Sequence, residues 1–224
     1  MKCACCSNPI PFEVFETIVL GDGALRRAEV QTAAADRNET LIHDRGASAH
    51  EAGHALAALA HGDDLRAVAI GEYPMTISQK SPHLSPLRCL IDFCAGDVGE
   101  GLASGYGSPS IDVLHAYIKD ARKDDDGHCD FCKSARLLVT RFPLHSDDAL
   151  AEAWASAFEI TRALLKTPAW SGAFWRVADA LRESRRLFGD EVAGLVDADD
   201  LRDVEARLLV SVDGFDIETW SAAQ

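Results

Sequence analysis

Basic residues are scarce in this chain: 22 Lys and Arg stand against 36 Asp and Glu, for a formal net charge of −14. A phosphate-backbone partner needs a basic face, so nucleic acid is not an expected partner. Long apolar runs are missing as well. No stretch approaches the roughly 20 residues of a membrane-spanning helix, so no membrane insertion is expected. The opening Met1-Lys2-Cys3-Ala4-Cys5-Cys6 has no apolar secretion-signal core. No G-x-x-x-x-G-K-[ST] loop occurs, so the phosphate cradle of a P-loop ATPase is not present in the sequence. Seven cysteines are an odd number in a chain of 224 residues, which speaks against a disulfide scaffold. Reduced thiols and a cytoplasmic location fit better. What remains is the composition of a globular protein, 47% hydrophobic and 26% charged, long enough for one sizeable core.

Read in order, the chain is mainly α with a small β element. Phe12 to Leu20 has the β-branched and aromatic content of a short strand, and Ala24 to Ile42 reads as a helix. Asp44 and Gly46 lead into a second helix that ends near Gly62-Asp63-Asp64. Leu65 to Ile70 and Met75 to Ser78 form a hairpin around Gly71-Glu72-Tyr73-Pro74. Leu87 to Ser104 reads as a buried helix, with Cys89 and Cys94 as packing residues. Another helix begins near Ile111, breaks at Lys123-Asp124-Asp125-Asp126-Gly127 and resumes from Ser134 to Phe142. The last third is helical over Asp147–Lys166 and Ala169–Phe188, with Gly189 as a stop and a short helix around Leu201, Val204 and Leu208.

Chemistry concentrates at His50-Glu51-Ala52-Gly53-His54, a H-E-x-x-H signature in a stretch rich in Ala and Leu. On a helix, positions i and i+4 lie one above the other, so both imidazoles can reach one metal ion. Glu51 falls beside that ion and can take a proton from a metal-bound water. Ser48 and Glu51 also fit a helix capping box, but such a box accounts for neither histidine. A catalytic zinc usually has three protein ligands and an open position. The metzincin extension would need Gly at 57 and His at 60; the chain has Ala57 and Ala60, with His61 one place late. Glu72, Asp97, Glu100 and Asp112 remain as downstream carboxylates.

The segment His50-Glu51-Ala52-Gly53-His54-Ala55 resembles the H-E-A-G-H-A motif of the peptidase M41 family, the proteolytic domain of FtsH-type proteases. Later stretches resemble that family in the same order. Leu65 to Ile70 stands where it has a short strand beside the active site, and Ala95 to Leu102 resembles its G-G-R-x-A-E-E-L helix. Gly107 to Leu114 resembles its S-G-A-x-N-D-L segment, and Val177 to Leu181 with Leu187 to Val192 resembles its end. Asp97 and Gly101 replace the usual Arg and second Glu, and residues 123–133 read as an insertion. The resemblance implies a zincin-like domain over residues 45–212, between an N-terminal extension, 1–44, and a C-terminal tail, 213–224. It implies Zn²⁺ held by His50, His54 and Asp112, with Glu51 as general base, and a peptide or protein as substrate. A free-standing member leaves substrate delivery to a homo-oligomer or a separate partner. The expected activity is an ATP-independent metallopeptidase. The alternative is a non-catalytic, metal-stabilised binding or regulatory module, which a fourth protein ligand such as His61 would favour.

Cys3-x-x-Cys6 and Cys129-x-x-Cys132 are each half of a four-thiolate zinc site, with Cys5 and His128 as spare ligands. Free thiols and helix packing by Phe131 and Cys132 are the competing reading of the second pair.

Overall fold

The computed structural model describes residues 37–71, 74–81, 84–123 and 127–211. In chain order they form α1 (Arg37–Ala60), β1 (Asp64–Ala69), β2 (Met75–Gln79), α2 (Pro86–Ser104), α3 (Ile111–Ala121), α4 (Asp130–Arg141), α5 (Asp147–Lys166), α6 (Pro168–Ser184), β3 (Arg186–Phe188), α7 (Gly189–Leu195) and α8 (Ala198–Ser211). The fold is mainly helical with one small antiparallel sheet, as expected. Among the described residues, no helix is long and apolar enough to cross a membrane. The expected strand over Phe12 to Leu20 lies outside the described residues.

The H-E-x-x-H helix α1 is the central post, and α2 runs against it more extensively than any other pair of elements touches. Small residues make that approach possible. A Cβ built on Gly53 would stand 2.1 Å from the Ala95 carbonyl oxygen, and one on Gly99 2.5 Å from that of Ala49. Any side chain at these two positions would push the helices apart. Behind them, α5 and α6 supply the largest buried side chains, Trp154, Phe158, Trp170 and Phe174. The Trp170 indole donates to the Leu201 carbonyl at 3.1 Å, which ties α8 to α6.

The sheet has the order β2-β1-β3, with both pairings antiparallel. The hairpin of β1 and β2 lies where the alternation places it, with a register shift between Leu65 and Ala67. The sequence reading missed β3. The apolar spacing Leu181, Phe188 continues a helix on paper, but Arg185 takes a left-handed φ of 65° and ends α6. Residues 186–188 then pair with β1. Gly189 begins α7 instead of serving only as a stop; a Cβ there would strike the Leu65 carbonyl at 1.8 Å.

Two helix boundaries also differ. The chain does not break at Asp44–Gly46; α1 starts at Arg37 and runs through both residues. A Cβ on Gly46 would lie 3.3 Å from the Glu100 carboxylate, so this glycine serves close packing. The stretch after the acidic break becomes helical at Asp130 and not at Ser134. That four-residue shift decides the composition of the site.

Candidate metal centre

One helical turn brings the two histidines of α1 together, as the spacing requires. Their Nε2 atoms are 3.2 Å apart. The third group comes from the first turn of α4: Asp130 Oδ2 lies 3.3 Å from His50 Nε2 and 3.1 Å from His54 Nε2. Three ligand atoms from two helices thus face one point, and the group His50, His54 and Asp130 can hold a metal ion.

Asp112, the ligand implied by the resemblance, is not in this group. It occupies the first turn of α3, exposed to solvent. A carboxylate in that position complements the positive end of the helix dipole and needs no metal to explain it. The resemblance implies Asp112 as the third ligand; the aspartate that the structure brings beside both histidines is Asp130. Glu72 lies outside the described residues. Asp97 and Glu100 form a second group around His50. His61 is not a ligand of the centre. Its Nε2 lies 3.0 Å from Glu205 Oε1, and both side chains are fully buried.

Asp130 is held by its neighbours. The next residue, Phe131, inserts among Tyr117, Trp154 and Phe158, with ring centroids 5.1, 5.5 and 5.8 Å away. These contacts fix the first turn of α4 against α3 and α5. Lys133 pairs with Asp130 Oδ1 at 3.0 Å, which leaves Oδ2 to face the histidines.

The far sides of both imidazoles are also engaged. His54 Nδ1 donates to the Asp92 carbonyl at 2.8 Å, and His50 Nδ1 lies 3.4 Å from Glu100 Oε2. A proton kept on Nδ1 leaves the Nε2 lone pair for a cation, the usual arrangement around histidine ligands. The Asp92 segment is anchored in turn. Lys80, just after β2, pairs with the Asp92 carboxylate and with Asp63 at 3.0 Å.

Backbone also shapes the centre. A Cβ on Gly96 of α2 would fall 2.4 Å from His54 Nε2 and 2.5 Å from His50 Nε2. The missing side chain leaves the space in which an ion would sit. No sequence pattern in α1 announces this glycine, because α2 carries it across the helix pair.

The acidic side chains and the imidazoles of the site shift one another's protonation. Burial alone would lower the His50 pKa, but bonds to Asp130 and Glu100 and the charge of Glu51 raise it well above the ordinary histidine value. Burial opposes protonation of His54 too, and Asp130 raises it nonetheless. Asp130 is held far below the usual carboxylate range: burial would raise it, but His54 and the hydrogen bonds from both imidazoles win. Asp97 is pushed up to about 6, by burial first and by its acidic neighbours Asp130 and Glu100.

Glu51, next to the ligands, is buried at 4% exposure. The Thr76 hydroxyl of β2 donates to its Oε2 at 2.7 Å. That bond fixes the carboxylate beside the ligand triangle and joins the sheet to the site. The resemblance implies a short strand beside the active site at residues 65–70. Residues 65–69 belong to β1, which is paired on both sides; among the described residues β2, whose Thr76 reaches Glu51, is an edge strand.

The helix pair thus gives a mainly helical fold in which His50, His54 and Asp130 are positioned to hold a metal ion. No protein-family model matches the chain, and no curated protein matches it.

Proposed function

We propose that this chain is a zinc-dependent, ATP-independent metallopeptidase, similar in its site to the M41 family, with His50, His54 and Asp130 as ligands and Glu51 as general base. The carrying observation is the triangle of ligand atoms, with edges of 3.1 to 3.3 Å. Ligands at 2.0–2.1 Å from a tetrahedral zinc stand roughly 3.3 Å apart. Two imidazoles and a carboxylate also suit zinc over calcium or magnesium, which favour oxygen alone. Among the described residues the group has three members, which fits a centre that keeps a position for substrate.

Zinc at such a centre polarises a carbonyl oxygen and acidifies water. Glu51, steadied by Thr76, takes up the proton and returns it to the leaving amine. β2, whose Thr76 reaches Glu51, is an edge strand among the described residues, and an extended peptide would add to it as a further strand. Such recognition reads the main chain first and suits a peptide bond as target.

Glu51→Gln tests this reading. Zinc content should stay at the wild-type level while cleavage of an unstructured protein such as casein drops by at least about a thousandfold, on the scale of a lost general base and its water. Retained cleavage would reject the role of Glu51. Cleavage by the wild type that survives complete zinc removal would reject the whole reading.

A further inference from the structure

The metal centre does not account for the cysteine pair at the start of α4. Of the expected four-thiolate site, Cys3 and Cys6, with Cys5, lie outside the described residues; Cys129 and Cys132 lie within them. Cys129 is the N-cap of α4 in extended conformation, φ −69° and ψ 166°, and Cys132 stands at the third position of the helix. Positions so spaced have Cα atoms about 5 to 6 Å apart, inside the range that a disulfide bridges. The two sulfurs already face each other at 3.5 Å. A disulfide bond measures roughly 2.05 Å, and side-chain rotation can supply the difference without moving the backbone. Both residues keep part of their surface in solvent, which gives a small reactant access. By contrast, Cys94 is buried in the core, where burial pushes its thiol pKa up.

We propose that Cys129 and Cys132 form a reversible dithiol–disulfide couple, a modification site for low-molecular-weight disulfides such as oxidised glutathione, whose closed form staples the turn that carries Asp130. The thiolate of one cysteine attacks the oxidant's disulfide and releases one reduced thiol; the other then attacks the mixed disulfide and releases the second. Two electrons pass to the oxidant, and the two protons end on the released thiols. The closed ring encloses Asp130 and Phe131, so it fixes the stretch of backbone that aims Asp130 Oδ2 at both histidines. Neither Glu51 nor the ligand atoms take part, so the couple stands even if the peptidase reading fails.

The test is disulfide mapping and hydrogen exchange on the full chain, with a chelator present and glutathione as the redox partner. Excess oxidised glutathione should join Cys129 to Cys132 within one peptide, and excess reduced glutathione should reopen the bond. Cys132→Ser should instead hold glutathione as a mixed disulfide on Cys129, because the second attack is gone. The Lys133 amide donates to the Cys129 carbonyl at 2.9 Å and reports on the first turn of α4. It should exchange at least about threefold more slowly in the oxidised wild type than in the reduced protein, since the ring restricts local opening. Both thiols surviving in excess oxidised glutathione, a bond to Cys3, Cys5 or Cys6, or stable single adducts on the wild type would overturn the couple. Equal exchange in the two states would overturn the staple. The wild-type map decides the first point even if Cys132→Ser does not fold.

Discussion

At the scale of single residues, the site depends on two positions that play no part in the H-E-x-x-H signature. Asp130 closes the ligand triangle, and Gly96 leaves room for its contents. Asp130→Asn should weaken zinc binding by more than about a hundredfold, since even indirect partners of ligands are worth 10–100-fold. Asp112→Asn should leave affinity within about twofold, because an exposed first-turn carboxylate contributes only to its helix. Competition titration with a chromogenic chelator separates the two; equal losses would return Asp112 to the site. Gly96→Ala should lose the histidine-bound ion while keeping its helical circular dichroism, because the added methyl lands on both Nε2 atoms. Normal zinc loading of that variant would show that the ion sits elsewhere. The two histidines and Glu51 were legible in the sequence because they share one helix, where spacing alone dictates geometry. Asp130 was not. It belongs to an acidic stretch that reads as an insertion, and its position follows from how α4 docks, not from any local period. One local sign was available: Phe131, Ala135, Leu138 and Phe142 already carry a helical stripe that starts next to Asp130.

At the scale of elements, small residues set the spacing of the α1 and α2 pair, and a buried polar contact fastens the C-terminal helix. His61 at the end of α1 and Glu205 in α8 meet with no exposure, and Arg88 of α2 reaches Glu205 at 3.5 Å. Removing one partner leaves a buried polar group without compensation. Glu205→Ala should cost about 3 kcal/mol in chemical denaturation. Replacing both His61 and Glu205 with leucine should recover much of that loss, because the unpaired polar group disappears with its partner. A single variant as stable as the wild type would mean that α8 is held by its apolar contacts alone. The helices of the last third were legible, since their stripes are long and regular. The third strand was not: three residues carry no period, and pairing with β1 decides their state.

For the molecule as a whole, the nitrogens that would hold a metal are also the ones that gain protons. His50 and His54 have raised pKa values in the metal-free fold, so their contribution to stability is complete below about 6.5 and is lost as the pH rises through the raised values. Asp97 acts in the same direction, its part fading between its ordinary value and about 6. Asp130 is depressed, so its contribution is present above about 3.9 and is lost in acid. The metal-free protein should therefore lose stability from mildly acidic to alkaline pH. Zinc needs unprotonated imidazoles, so the rise in Tm on zinc addition should be small at pH 6 and grow by several degrees toward pH 8.5. Thermal melts with zinc and with chelator across that range measure it. A zinc-induced shift that is the same at every pH would refute proton competition.

Asp130 and the histidines sit on different helices, and this has a mechanical result. An ion held between them would be a rivet joining the α1–α2 slab to the α3–α4–α5 layer that carries Phe131. Stripping such an ion would remove the rivet and leave the aromatic hinge, and the seam where α4 begins should then be the first of the described segments to be cut by a protease or to exchange amide hydrogen.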